Sequence, residues 1–153
     1  FDLFVTRKLF YWLRTPGLHY RTMKTNDLPT TMMAVHGKDY GDIDEMLTVV
    51  SGVAVPRLSD LLPKKRKNKV IVRTLAVALA PGDVRTLSGK TRELQGPPSF
   101  PYIPGGDCCG IVQEINDEDD SALFKVGDRV AARFVEFPRG TLGEFACVSI
   151  LVT

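Results

Sequence analysis

Apolar residues in this chain cluster in short runs rich in Val, Ile, Thr and Phe, and polar turn residues separate one run from the next. Runs of this length and composition, bounded by Gly, Pro, Asn and Asp, are typical of β-strands. Their spacing suits a partly closed β-barrel, so the fold is expected to be mainly β. The predicted strands are Met32–His36, Leu47–Val55, Lys69–Ala80, Gly110–Ile115, Arg129–Phe134 and Leu142–Ile150.

One helix is predicted to interrupt the strands directly after Ala80. Pro81 suits the first helical turn, and the carboxylate of Asp83 favours the positive end of the helix. Gly89 can end the helix at Ser88. A second short helix is predicted over Leu9–Arg14, where the following Thr-Pro-Gly ends it.

The sequence divides into residues 1–31, a basic and aromatic extension with a linker, residues 32–150, the β-domain, and a short end at 151–153. The first 24 residues hold five Lys or Arg residues against Asp2 alone. Three interpretations of this segment stay open: the remnant of an organellar targeting sequence, a docking extension for a partner or a membrane surface, and a plain appended helix.

Composition narrows the class of protein. The chain has 153 residues, 44% hydrophobic and 25% charged, which suits one soluble globular domain with a real core. Its net charge of +2 gives no general attraction to nucleic acid. The basic run at 64–67 is interpreted as a solvated loop rather than a nuclear localisation signal. No apolar run is long enough to span a bilayer.

Eight residues, IPGGDCCG at 103–110, hold three glycines, one carboxylate and two adjacent thiols. Neighbouring residues of a strand point to opposite faces, so Cys108 and Cys109 reach one metal ion only if the backbone is distorted. Small apolar packing at the start of a strand is the favoured interpretation, and a redox pair and a metal site are the alternatives. Together with Cys147 they form an odd set, which indicates a reducing compartment, either cytoplasmic or organellar (mitochondrion or plastid).

Four segments in one order, at 69–90, 100–115, 124–134 and 140–149, carry a family resemblance. A strand leads through an alanine-rich bend into Pro-x-Asp-Val and a helix that ends in Gly; then come Pro-x-x-Pro-Gly, a Gly-x-Val strand and Gly-Asp-Arg-Val. Over residues 32–149 the chain resembles the amino-terminal domain of the medium-chain dehydrogenase/reductase superfamily, in its zinc-independent quinone oxidoreductase branch. The resemblance implies a GroES-like, partly open β-barrel with one or two short helices.

The resemblance also implies a function. Complete members follow this domain with a Rossmann domain that binds NADPH, and they transfer a hydride to a quinone or an α,β-unsaturated carbonyl compound. This chain has no glycine-rich nucleotide motif, so the Rossmann domain is expected in cis or on another polypeptide, and the chain alone is not expected to turn over. The alternative is an inactive accessory subunit of an organellar complex, docked through residues 1–31.

Zinc-using relatives place their ligands at positions that correspond here to Ala80, Gly106 and Asp107, so no metal site is expected. Zinc-free relatives place polar side chains at the positions of Ala80 and Arg85. The resemblance therefore leaves Asp83, Arg85, Gly106 and Asp107 as weak candidates for the cleft. Arg85 is also the candidate for cofactor binding, because its guanidinium can pair with a phosphate or a carbonyl oxygen. Asp83 is expected to cap or orient the helix.

Overall fold

A computed structural model describes residues 28–66, 69–95, 99–115, 124–133 and 140–149. The six strands are β1 (Thr31–Gly37), β2 (Leu47–Ala54), β3 (Lys69–Ala78), β4 (Asp107–Ile115), β5 (Arg129–Arg133) and β6 (Phe145–Ser149). The four short α-helices are α1 (Ile43–Met46), α2 (Pro63–Arg66), α3 (Pro81–Leu87) and α4 (Arg92–Gln95), and a 3-10 turn covers Leu58–Asp60. The helix expected over Leu9–Arg14 lies outside the described residues.

The strands form two sheets that the chain joins through residues 142–144. β1 and β2 make an antiparallel hairpin, and the second sheet has the order β5-β4-β3-β6 with antiparallel neighbours throughout. The amide of Val35 donates to the carbonyl of Leu142 at 2.8 Å, and the amide of Glu144 donates to the carbonyl of Met33 at 3.1 Å. Thr74 in turn donates its amide to the carbonyl of Glu144 at 2.9 Å. These bonds link the hairpin to the larger sheet, and the expected partly open, mainly β barrel is confirmed.

The core lies on both faces of β3, because alternate residues of a strand point to opposite sides. Ile71 packs on one face, while Val70 and Val72 pack on the other, and all three are buried. The first face includes Leu28, Met32, Ala34, Val55, Leu58 and Phe145, and the second includes Cys108, Val112, Val130, Ala146 and Val148. The central strand is therefore fixed by apolar burial, which favours a single register.

The structure differs from the sequence prediction in its short helices. One or two were expected, and four are found among the described residues. Part of the basic run, Lys64–Arg66, belongs to the one-turn helix α2 rather than a loop, although its side chains remain at the surface. Arg66 explains the turn, because its guanidinium donates to the carbonyls of Leu61 and Ser59 at 2.9 and 3.1 Å.

Three strand boundaries differ from the prediction by two or more residues, and one of them is the start of β6, at Phe145 rather than Leu142. β4 starts at Asp107 rather than Gly110, because its first residues pair with the end of β3. β3 ends at Ala78 rather than Ala80, since the backbone turns there into α3. None of the described helices is long and apolar enough to cross a bilayer.

Candidate functional site

The bend after β3 and the glycine-rich turn before β4 lie at the same edge of the sheet. Ala78, the last residue of β3, is the register partner of Asp107, the first residue of β4. The pairing brings together two segments that are nearly thirty positions apart in the sequence. The bend that leads into α3 and the turn that holds Gly106 and Asp107 therefore lie at one edge of the sheet.

Helix α3 starts at this edge and is held by the carboxylate of Asp83. Its Oδ2 accepts a hydrogen bond from the amide of Ala80 at 2.9 Å, and the amide of Asp83 donates to the Ala80 carbonyl at 2.9 Å. Pro81 occupies the first turn, as expected, and Asp83 is only 1% exposed. A buried carboxylate at a helix N-terminus satisfies amides that have no partner within the helix. The capping role expected of Asp83 is confirmed.

Arg85 lies in the last turn of α3 and points into solvent. Its guanidinium makes no hydrogen bond or ion pair with any residue in the described part of the chain. Val84, which precedes Arg85 on α3, is 46% exposed, and Leu79 at the bend is 59% exposed. The bend and α3 thus present exposed apolar side chains and a solvated cation, which are open to a ligand or another domain.

The turn before β4 is fixed by its contacts with residues 140–142. The carbonyl of Gly105 accepts from the amides of Gly140 and Thr141 at 3.2 and 3.3 Å, and the Pro104 carbonyl accepts from Leu142 at 3.0 Å. Gly105 has φ of +100°, and a side chain there would collide with the Thr141 hydroxyl. Glycine is therefore required at this position by conformation and by space. Gly106, the next residue, is buried.

Asp107 faces a basic residue that the sequence reasoning did not single out. Arg133, the last residue of β5, is its register partner, and Arg133 Nε lies 4.0 Å from Asp107 Oδ1. Both side chains are largely solvated, so the pair contributes little to stability. Its effect is to put a second guanidinium at this end of the sheet. Antiparallel pairing of β4 and β5 was the signal that would have predicted it.

Cys108 and Cys109 point to opposite faces of β4, as the strand geometry predicted. Cys108 is buried in the second core cluster, whereas Cys109 is partly exposed. Burial, with smaller contributions from the neighbouring Cys109 and Asp107, raises the pKa of the Cys108 thiol to about 12. A thiol of this pKa stays protonated at neutral pH and is a poor nucleophile and a poor metal ligand. Apolar packing is the role that these contacts support.

Cys147 lies on β6, away from this edge, and packs against the first core cluster. Burial raises the pKa of its thiol to about 11, an effect that Lys69 opposes and Glu114 reinforces. It has no role at the candidate site.

The donor atoms at the bend do not form a zinc site. Ala80 and Gly106 have no side-chain donor, and Asp107 contributes one carboxylate. Zinc in proteins needs three or four nitrogen, sulfur or oxygen ligands around one point. Among the described residues no cluster of three His, Cys, Asp or Glu side chains is close enough to hold a metal ion.

A cavity of about 190 Å³ lies outside the bend, on the side of the sheet where β5 and β6 approach each other. Its wall is mainly apolar, with Val130 and Ala132 of β5 opposite Val148 of β6, and Arg133 at its rim. No pattern in the sequence predicts this cavity, because it depends on how the two edge strands curve toward each other.

Comparison with protein families places the site in context. Residues 66–149, more than half of the chain, match the model of the alcohol dehydrogenase GroES-like domain. The chain belongs to this family. The resemblance drawn from the motif order is confirmed, and the bend, α3 and the turn before β4 all lie within the matched part of the GroES-like domain.

Two of the curated relatives that the chain matches are oxidoreductases by name. The NADPH-dependent alkenal/one oxidoreductase of Arabidopsis thaliana, a chloroplastic protein, is 29% identical over 127 residues, which cover 79% of this chain and 30% of the relative. The quinone oxidoreductase of Sus scrofa is 36% identical over 86 residues, 56% of this chain and 22% of the relative. The chain therefore spans less than a third of the length of these relatives.

Solved structures share the fold. A crystal structure of an alcohol dehydrogenase superfamily protein from Novosphingobium aromaticivorans superimposes with a TM-score of 0.60 at 28% identity. The superposition covers 78% of this chain and 32% of that protein. The chain therefore corresponds to about a third of that larger protein.

Proposed function

We propose that this GroES-like domain forms the acceptor-facing half of an NADPH-dependent reductase, which transfers a hydride to a quinone or an α,β-unsaturated carbonyl compound. One observation carries the proposal: the end of β3, which leads through the bend at Ala80 into α3, pairs with Asp107 at the start of β4, so the bend and the turn at Gly106 and Asp107 lie at one edge of the sheet. The names of the matched relatives supply the two classes of acceptor.

A second domain is part of this proposal, in cis or on another polypeptide. Leu79 and Val84 are about half exposed beside the bend, and exposed apolar groups at a functional edge favour burial against a partner. The nicotinamide, when bound, supplies the hydride. A nucleotide-binding domain packed on these two side chains would enclose the edge and exclude water from it.

Arg85 is the residue of this chain that we assign to the cofactor or to the acceptor. Its planar guanidinium presents several donors, and no described residue occupies them. It suits a phosphate group of the cofactor or the oxygen of a carbonyl acceptor. Ala80 provides no hydrogen bond, so the orienting contacts at the bend come from Arg85 and from the second domain.

The proposal is tested on the full gene product with NADPH and two acceptors, a benzoquinone and an unsaturated aldehyde. NADPH oxidation is expected with at least one of them. Arg85→Ala is expected to lower kcat/KM by roughly 10- to 100-fold, the range for losing a charge-assisted hydrogen bond. Arg92→Ala, which removes an exposed arginine from α4, is the matched control and is expected to leave kcat/KM unchanged.

The two parts of the proposal fail separately. A full gene product that oxidises NADPH with neither acceptor refutes the reductase function. Activity that Arg85→Ala leaves intact refutes the role of Arg85 and keeps the function. The relatives named above do not support the alternative of an accessory subunit. The compartment of this protein stays a prediction, although one relative is named as chloroplastic.

A further inference from the structure

The β1–β2 hairpin carries an exposed apolar face that is separate from the bend. Met33 is 52% exposed and Val49 is 64% exposed, and Val35 lies between them. Met32 and Ala34, which alternate with these residues on β1, are buried in the core on the other side. We call Met33, Val35 and Val49 the hairpin face.

The hairpin face is preformed. Val35 and Val49 are direct register partners, and the amide of Val35 is fixed by the carbonyl of Leu142 at 2.8 Å. Glu144 binds Met33 twice, since its Oε2 accepts from the Met33 amide at 2.8 Å and its own amide donates to the Met33 carbonyl. A ligand that binds this face therefore orders little additional backbone, which keeps the loss of conformational entropy on binding small.

The rim of the hairpin face is acidic. Glu144 lies beside Met33, and Asp44 and Glu45 of α1 lead directly into β2. All three side chains are exposed, and so is that of Lys38, the residue that follows β1. An apolar surface with an acidic rim favours a partner that is apolar and basic.

The segment that leads into this hairpin has that chemistry. Residues 1–24 contain Arg7, Lys8, Arg14, Arg21 and Lys24 against Asp2, together with Phe4, Phe10, Tyr11 and Trp12. The segment lies outside the described residues. It joins the fold at Leu28, which is buried and whose carbonyl accepts from the guanidinium of Arg57 at 2.8 Å.

Because residues 1–24 are covalently connected to β1, this segment is the nearest candidate to bind the hairpin face. Leu28 is three positions before Thr31, the first residue of β1, and the segment ends at residue 24, so its end lies within about nine residue lengths, each about 3.5 Å, of Met33. A short tether holds a binding segment at an effective concentration on the order of millimolar. Even modest contacts then suffice for binding within the same molecule.

We propose that residues 1–24 bind the hairpin face of their own domain, with aromatic side chains on Met33 and Val49 and with cations toward Glu144 and the α1 carboxylates. The segment then covers its own domain, which differs from the docking onto a larger assembly considered from the sequence. The bound segment thereby prevents the hairpin face from contacting other molecules. This inference is independent of the proposed reductase function.

Trp12 provides a direct test, because it is the only tryptophan in the sequence. Its emission and its quenching by acrylamide are measured in the full chain at low micromolar concentration. A blue-shifted emission and protection from acrylamide are expected. The double variant Met33→Thr and Val49→Thr keeps residues that suit strands. The double variant is expected to lower the ratio of bound to free segment by on the order of tenfold, because two apolar contacts are lost.

The matched control is Leu62→Thr with Leu94→Thr, which changes two exposed apolar residues away from the hairpin. It is expected to leave Trp12 protected. Circular dichroism and thermal unfolding establish that each variant is folded. Raising the salt concentration to about 1 M, where the Debye length is about 3 Å, is expected to weaken protection because the rim charges are screened.

Four results would overturn the inference. Trp12 emission equal to that of a fully hydrated indole means that the segment is free. Protection that survives the double variant means that Trp12 packs on a different surface. Protection that rises with protein concentration means that the segment binds a second copy. Protection that appears only with vesicles of phosphatidylserine and phosphatidylcholine means that its target is a membrane.

Discussion

Removing the Asp83 carboxylate is the most direct test of how the candidate site is built. The group is 1% exposed, and its Oδ2 holds the Ala80 amide at 2.9 Å, at the point where the sheet edge turns into α3. Asp83→Ala removes this hydrogen bond to a charged group and leaves the amide of Ala80 without its partner. Each of these losses costs about 1–3 kcal/mol in proteins, and they overlap because they describe the same bond.

We therefore expect Asp83→Ala to lower the free energy of unfolding by about 2–3 kcal/mol. For a chain of this size each kcal/mol shifts Tm by about 2–4 °C, so Tm is expected to fall by roughly 4–12 °C. Urea unfolding followed by circular dichroism measures the free energy, and calorimetry measures Tm. Asp44→Ala, an exposed acidic residue in the first turn of α1, is the control and is expected to change stability by less than about 0.5 kcal/mol.

Asp83→Asn separates a structural role from a catalytic one. The amide keeps an oxygen for the Ala80 amide but removes the charge, so stability is expected to fall by less than in Asp83→Ala. If Asp83→Ala matches the wild type in stability, the capping argument is wrong. If Asp83→Asn is as stable as the wild type but inactive in the full gene product, Asp83 acts in the chemistry, and its assignment as a structural residue is refuted.

Three further predictions concern packing and titration. Gly110→Ala is expected to destabilise the fold by roughly 1–3 kcal/mol in urea unfolding, because the new methyl group meets the carbonyl of Arg73 on β3. Thr141→Val is expected to stabilise by roughly 1 kcal/mol, because the buried Thr141 hydroxyl has no hydrogen-bond partner among the described residues; a loss of stability would reveal one. The pKa of Cys108 is raised in the fold from 9.0 to about 12, so the stability it contributes is complete below pH 9 and is lost as pH rises toward 12. Unfolding measured from pH 7 to 11 should show this loss, reduced in Cys108→Ala, and iodoacetamide should modify the more exposed Cys109 before Cys108.

The start, the cap and the end of α3 were predicted closely from residues within the helix and next to it. Pro81 at the first turn, Asp83 as the cap and Gly89 after the end all act within a few residues, so the sequence alone contains the information. The one-turn helices α1, α2 and α4 were missed because four residues are too few to show a helical period. α1 depends on a single side-chain bond, from the Asp44 amide to Asp42 Oδ1 at 3.1 Å.

Long-range pairing limited the prediction of the site. The pairing of β3 with β4 contains two register shifts, between Ile71 and Val72 and between Thr74 and Ala76. Each bulge adds a residue to one strand and changes which side chains face each other. The pair of Asp107 with Arg133 depends on a different ladder, the regular antiparallel pairing of β4 with β5, and no local pattern in the sequence specifies either register.

The charges left at the candidate edge bear on the proposed chemistry. Asp83 is committed to α3, and Gly106 has no side chain, so Arg85, Arg133 and Asp107 are the charged groups that remain in solvent contact there. Their sum is one positive charge. Hydride transfer to a quinone or an enone places negative charge on the acceptor oxygen, and a fixed cation near that oxygen stabilises it. In the proposed function this cation is Arg85, whose guanidinium makes no hydrogen bond or ion pair with the described residues, and closure of a second domain over Leu79 and Val84 would strengthen its effect by removing water.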